Sequence, residues 1–92
     1  MQFQDIDDGQ YRIHAGSLEI RAGEGHIAAV IVNRSSNGKN EVLEVFRDID
    51  IQGGYRWPTS DQALQRALVL GASAVSAERL LEARYSDDYA PA

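Results

Sequence analysis

Ninety-two residues, 43% of them apolar and 25% charged, make one small domain with a thin core, because a chain this short buries only about 60–65% of its unfolded surface. The absence of cysteine excludes a disulfide or a thiolate zinc site as a source of stability. A net charge of −5, with nine basic residues spread singly, argues against phosphate backbones and anionic lipid surfaces as partners, and no cofactor or metal signature stands out.

Residues 1–8 are acidic and mixed, with neither a basic nor an apolar stretch of the kind a secretory leader needs. The longest apolar run, residues 27–32, is far short of the roughly 20 residues that cross a bilayer. These features read as a cytoplasmic protein with no membrane partner. The whole of 1–92 is expected to be a single domain, with flexible ends at 1–9 and 86–92, where acidic residues gather.

Tyr11, Ile13 and Ala15 alternate as in a strand, but their parity is opposite to that of Leu18 and Ile20. A bulge or turn at Gly16 and Ser17 would reconcile the two, with residues 11–15 either extending the next strand or forming a separate edge. A three-residue turn at Gly23, Glu24 and Gly25 would set Ile20 opposite Ala28 and Leu18 opposite Val30. Asn37 and Gly38 suit a type I′ hairpin turn, which would set Arg34 opposite Glu41, Val32 opposite Leu43 and Val30 opposite Val45. The two turns agree on one inner face: Leu18, Ile20, Ala28, Val30, Val32, Leu43 and Val45. A further hairpin at Gln52, Gly53 and Gly54 would add Ile49, Ile51, Tyr55 and Trp57, ending at Pro58.

Thr59 to Gln62 reads as a helix capping box. Ala63, Leu64, Ala67, Leu68, Gly71, Ala74 and Val75 then recur at helical spacing, and Gly71 suggests close approach to the sheet. The stripe resumes at Leu81 and Tyr85, so the helix either runs through or breaks near 71–76; Glu78, Glu82, Arg79 and Arg84 mark its wet side. Strands first and a helix last predict an α+β fold: an antiparallel three- to four-stranded β-meander with one C-terminal helix on one face.

Catalytic signatures are weak. His14 and His26 fall on different strands without metal-ligand spacing, no serine sits in a nucleophile elbow, and Asp48 and Asp50 read as solvated edge charges. The glycine pairs match neither a dinucleotide nor a phosphate-loop motif. The predicted outer face is more informative. Ile27, Ile31, Val42 and Phe46 form an apolar strip rimmed by charge, with Ala29 and Glu44 beside them on the same face, which marks a surface for another protein, a homodimer contact, or a seat for Phe3 and Ile6 folded back. Arg47 fits badly, because strand parity puts it on the inner face unless the strand bulges. The expectation is a non-catalytic interaction domain of immunity, inhibitor or adaptor type. The alternative is a small nucleic-acid-binding module using Arg21, Arg56 and Trp57.

The run from Gly25, His26, Ile27, Ala28, Ala29 and Val30 through Trp57, Pro58, Thr59, Ser60, Asp61, Gln62, Ala63 and Leu64 to Ala67, Leu68 and Gly71 resembles a group of short, uncharacterised bacterial domains. They join a β-meander to an Ala-rich helix, and the likeness covers roughly residues 18–75. It implies the same fold and attaches no activity. The order of elements is also similar to the second half of a double-stranded-RNA-binding domain. That family's first helix is missing here, and Asp61 and Gln62 stand where it carries lysines.

Overall fold

The computed structural model describes residues 1–36 and 41–89, with side chains through residue 84. Four strands, β1 (Gln2–Asp8), β2 (Tyr11–Glu19), β3 (His26–Ser35) and β4 (Val42–Asp48), pair antiparallel in the order β1-β2-β3-β4. A single helix, α1 (Ser60–Tyr89), packs across β2 and β3. This is the expected α+β meander. The Asn37 and Gly38 turn lies outside the described residues, and the helix runs unbroken through 71–76.

The strand registers differ from expectation in ways that decide which side chains face out. In β2 the buried set is Tyr11, Ile13, Ala15 and Ser17, opposite Arg34, Val32, Val30 and Ala28 of β3. Leu18 and Ile20 are therefore not core. Leu18 pairs with Ile27 on the other face, and Ile20 lies beyond the strand end, 59% exposed. No bulge is needed at Gly16 and Ser17, because β2 is one continuous strand and the chain reverses over the longer stretch 20–25.

The bulge lies in β4. Val32 pairs with Phe46 and the next residue, Asn33, with Glu44, so Val45 is the extra residue. Val45 and Phe46 both lean on the core, while Arg47 pairs with Ile31 on the opposite face. That shift removes the awkward inner arginine. It also corrects the place of Phe46, which belongs to the helix-covered side. Beyond β4 no third hairpin forms. Ile51 N–H donates to Ala28 O, the chain loops through 52–54, and Trp57 then exchanges both backbone bonds with His26 of β3.

Residues 2–8, expected at a flexible end, form β1 along the free edge of β2, with Ile6 against the core and Phe3 on the opposite face. Neither folds back over the sheet.

Small residues let α1 lie close. Ala63, Ala67, Gly71, Ala74 and Val75 are buried on the sheet, and a Cβ on Gly71 would stand 2.6 Å from Ile13 Cγ2. At the start of the helix, Thr59 Oγ1 accepts from Gln62 N–H at 3.1 Å, and the buried Ser17 hydroxyl meets that of Ser60. At the far end, Glu82 turns toward the sheet, contrary to the expected wet side. Its Oε1 accepts from the Tyr11 hydroxyl at 2.8 Å and from Arg34 Nη1 at 2.7 Å. Arg79 grips Asp8 at 2.8 Å and stacks over the Tyr11 ring. Two anchors thus fix α1 along one face and leave the other face of the sheet without a covering element among the described residues.

Candidate functional site

The open face follows from the registers as rows running across the sheet. Asp7, Arg12, Asn33 and Glu44 make one row; Asp5, His14, Ile31 and Arg47 make the next. Phe3, Gly16 and Ala29 make a third, with Leu18 and Ile27 beyond it. The third row holds its two smallest side chains in the middle and a large one at the β1 edge. Ile49, just past β4, closes the other side. The result is a hollow of about 140 Å³ over Gly16 and Ala29, walled by Phe3, His14, Ile31 and Ile49. Phe3 is 69% and Ile49 57% exposed. The Phe3 ring lies close over Gly16, where a Cβ would stand 2.8 Å from Phe3 Cδ1.

The polar side chains on this face bond to one another in pairs, two of them ionic. Arg12 Nε bonds Asp7 at 2.8 Å, His14 Nδ1 lies 2.8 Å from Asp5 Oδ1, and Arg47 Nη2 reaches Glu44 at 2.7 Å. Hydrogen bonding to Arg47 holds the Glu44 carboxyl below its ordinary value and raises the Arg47 guanidinium. Arg12 is raised in the same way by Asp7. The Arg12–Asp7 and Arg47–Glu44 pairs leave the apolar centre flanked by two locally neutralised ion pairs, although the chain as a whole is acidic.

Of the strip predicted from sequence, Ile27, Ala29, Ile31, Val42 and Glu44 stand on the open face. Phe46 does not, because the bulge at Val45 turns it to the core. Strand parity already turned His14 outward, whereas sequence reasoning missed Phe3, Gly16, Leu18 and Ile49 as residues of this face. The signal available was Gly16: a glycine inside a strand commonly marks a close approach on one face.

The remaining candidates fall elsewhere. Arg21 lies in the 20–25 turn, and Arg56 and Trp57 return beside β3 at the same end of the sheet through the bonds between His26 and Trp57. Trp57 packs on the core and meets Tyr55 edge-on at 4.5 Å, while Arg56 reaches Asp50 at 3.5 Å. Asp48 and Asp50 build the following loop: Asp48 Oδ1 accepts from Asp50 N–H and Asp50 Oδ2 from Gly54 N–H, each at 3.1 Å. The two histidines occupy opposite faces, His14 on the open one and His26 beside Trp57, so they do not converge. Among the described residues no three His, Cys, Asp or Glu side chains are grouped to hold a metal, and no helix is long and apolar enough to cross a membrane. No family model, curated protein or solved structure matches the chain.

Proposed function

We propose that this domain is a non-catalytic protein-interaction module that docks a partner on the open face of its sheet, with one apolar side chain of the partner entering the hollow over Gly16 and Ala29. A single observation carries the reading. The face opposite the helix has a side-chain-sized depression whose walls, Phe3 and Ile49, are more than half exposed and converge with Ile31 on one spot, and it is contiguous apolar surface of this kind that marks an interaction site. Interfaces concentrate their energy where a large apolar group fills a desolvated pocket ringed by polar contacts. The matched pairs at Asp7, Asp5 and Glu44 supply such a ring. A binding role of immunity, inhibitor or adaptor type fits this surface.

The test is affinity capture from native lysate with three baits: wild type, Ile31→Lys and Ala29→Leu. Ile31→Lys puts a charge in the wall of the hollow, and Ala29→Leu fills its floor. Both sites face away from the core, so circular dichroism should show folded proteins. The expected result is a defined partner held by wild type and lost from both variants. Equal capture by all three baits would overturn the proposal. Salt-sensitive capture of nucleic acid, lost on Arg21→Ala with Arg56→Ala, would instead favour the nucleic-acid alternative.

A further inference from the structure

Charge on the open face does not balance, and the imbalance sits at the hollow. The four strands put three carboxylates on that face, Asp5, Asp7 and Glu44, against two guanidiniums, Arg12 and Arg47. Both guanidiniums are taken. Arg12 gives two bonds to Asp7, from Nε to Oδ1 at 2.8 Å and from Nη2 to Oδ2 at 3.4 Å, and Arg47 Nη2 holds Glu44 at 2.7 Å. The Arg12 guanidinium is raised first by its hydrogen bonding to Asp7 and only last by the charge of Asp5, which ranks the two carboxylates as its partners. Asp5 is left with His14, whose Nδ1 lies 2.8 Å from Asp5 Oδ1. A neutral imidazole makes that bond by donating its Nδ1 proton, which satisfies one oxygen and cancels no charge.

Asp5 is also the one carboxylate that borders the hollow, and its side chain is 53% exposed. Phe3 stands two residues before it on the same strand and the same face, about 7 Å away at strand spacing. The site therefore joins an apolar seat, floored by Gly16 and Ala29, to an uncompensated carboxylate and an exposed aromatic ring on its β1 side. A partner that covers this face takes Asp5 out of water. A wholly apolar contact would leave the carboxylate desolvated and unpaired, which is costly. A basic side chain removes that cost. Its methylene stem is apolar enough for the seat, and a guanidinium head can bond a carboxylate while lying against a ring.

We infer that the segment docked on the open face is basic, with a guanidinium or ammonium head meeting Asp5 beside the apolar contact in the hollow. This rests on the reading of that face as a docking surface and names the chemistry of what docks there. The net charge of −5 acts in the same direction, drawing basic segments toward the domain and turning acidic ones away.

Isoleucine-methyl NMR at pH 8 with two isosteric probes, n-butylguanidinium and uncharged n-butylurea, tests the inference. The probes share one apolar chain and differ in the charge of the head. Both should shift Ile31 and Ile49 and leave Ile13 and Ile51 in place. The cation should bind about two- to five-fold more tightly, the range of an exposed ion pair. Asp5→Asn keeps the shape of the side chain and an acceptor for His14, and should bring the two probes to equal affinity. Glu24→Gln removes one charge from the reversal at 20–25 and should leave the preference intact. Equal affinities in the wild type would overturn the inference and leave the hollow as an apolar docking point. So would a preference that survives Asp5→Asn, or one that Glu24→Gln abolishes as well. No shift of Ile31 or Ile49 with either probe would overturn the docking reading together with it.

Discussion

At the scale of single residues, the fold turns on positions where one methyl group or one parity step decides the outcome. Gly71 is the tightest. Alanine there would gain about 1 kcal/mol of helix propensity. Its Cβ would, however, stand 2.6 Å from Ile13 Cγ2 and 3.1 Å from Val30 Cγ2, both on β-branched side chains with little freedom to move. Overpacking of that kind costs about 1–3 kcal/mol, so the clash wins. Gly71→Ala should lower the urea midpoint of unfolding, and a rise in the midpoint would show that α1 does not approach the sheet so closely. Phe46 and Ile31 form the complementary pair. Phe46 leans on the core and Ile31 does not, so Phe46→Glu should destabilise by several kcal/mol, while Ile31→Lys should stay within about 1 kcal/mol of wild type. Equal losses in thermal melts would contradict the placement of the bulge at Val45.

At the scale of elements, legibility followed how one-sided each segment is. Ala28, Val30 and Val32 of β3 carry the same face under any turn length, and the stripe of α1 from Ala63 to Val75 is regular, so both were readable. β2 was not, because it offers two apolar sets of opposite parity. Leu18 and Ile20 won on the assumed three-residue turn, whereas the longer reversal over 20–25 lets the larger set, Tyr11, Ile13 and Ala15, take the helix side. In β4, apolar residues at 42, 43, 45 and 46 fit neither parity, and the misfit of Arg47 was the trace of the bulge. The hollow on the open face was hidden for a further reason: Phe3 and Gly16 come together only when β1 pairs with β2, and nothing in an acidic N-terminal segment announces that pairing. The anchor between α1 and the end of the sheet has its own pH signature. Hydrogen bonding to Arg79 lowers Asp8 from its ordinary 3.8, and hydrogen bonding to Tyr11 lowers Glu82 from 4.5. A carboxyl with a depressed folded-state pKa contributes stability that is present above its unfolded value and is lost as pH falls through the folded one. Burial raises the Tyr11 hydroxyl, aided by its bond to Glu82, so that contribution is present below the ordinary value of 10.0 and is lost at higher pH. Stability should therefore drop below pH 4.5, and the drop should be shallower in Glu82→Gln; an unchanged acid slope would show that Glu82 does not hold the helix.

At the scale of the whole molecule, one sheet separates two surfaces with different chemistry. The helix side is anchored at both ends by polar contacts, at Ser17 with Ser60 and at Tyr11 with Glu82, and is filled by small side chains. The open side keeps its two arginines, Arg12 and Arg47, in local ion pairs and its apolar groups in contact with solvent. In a domain of −5 net charge, that local neutrality favours a protein surface over a polyanion as partner. The seven isoleucines report on both sides, with Ile13 and Ile51 in the core and Ile27, Ile31 and Ile49 on the open face or at its rim. The most direct measurement is therefore methyl NMR of isoleucine-labelled protein with a soluble paramagnetic agent, first alone and then with the partner recovered by capture. In the free protein, Ile31 and Ile49 should broaden while Ile13 and Ile51 stay sharp, and addition of the partner should restore Ile31 and Ile49. If Ile31 and Ile49 are already shielded in the purified protein, or stay broadened when the partner is bound, the open face is not the docking surface.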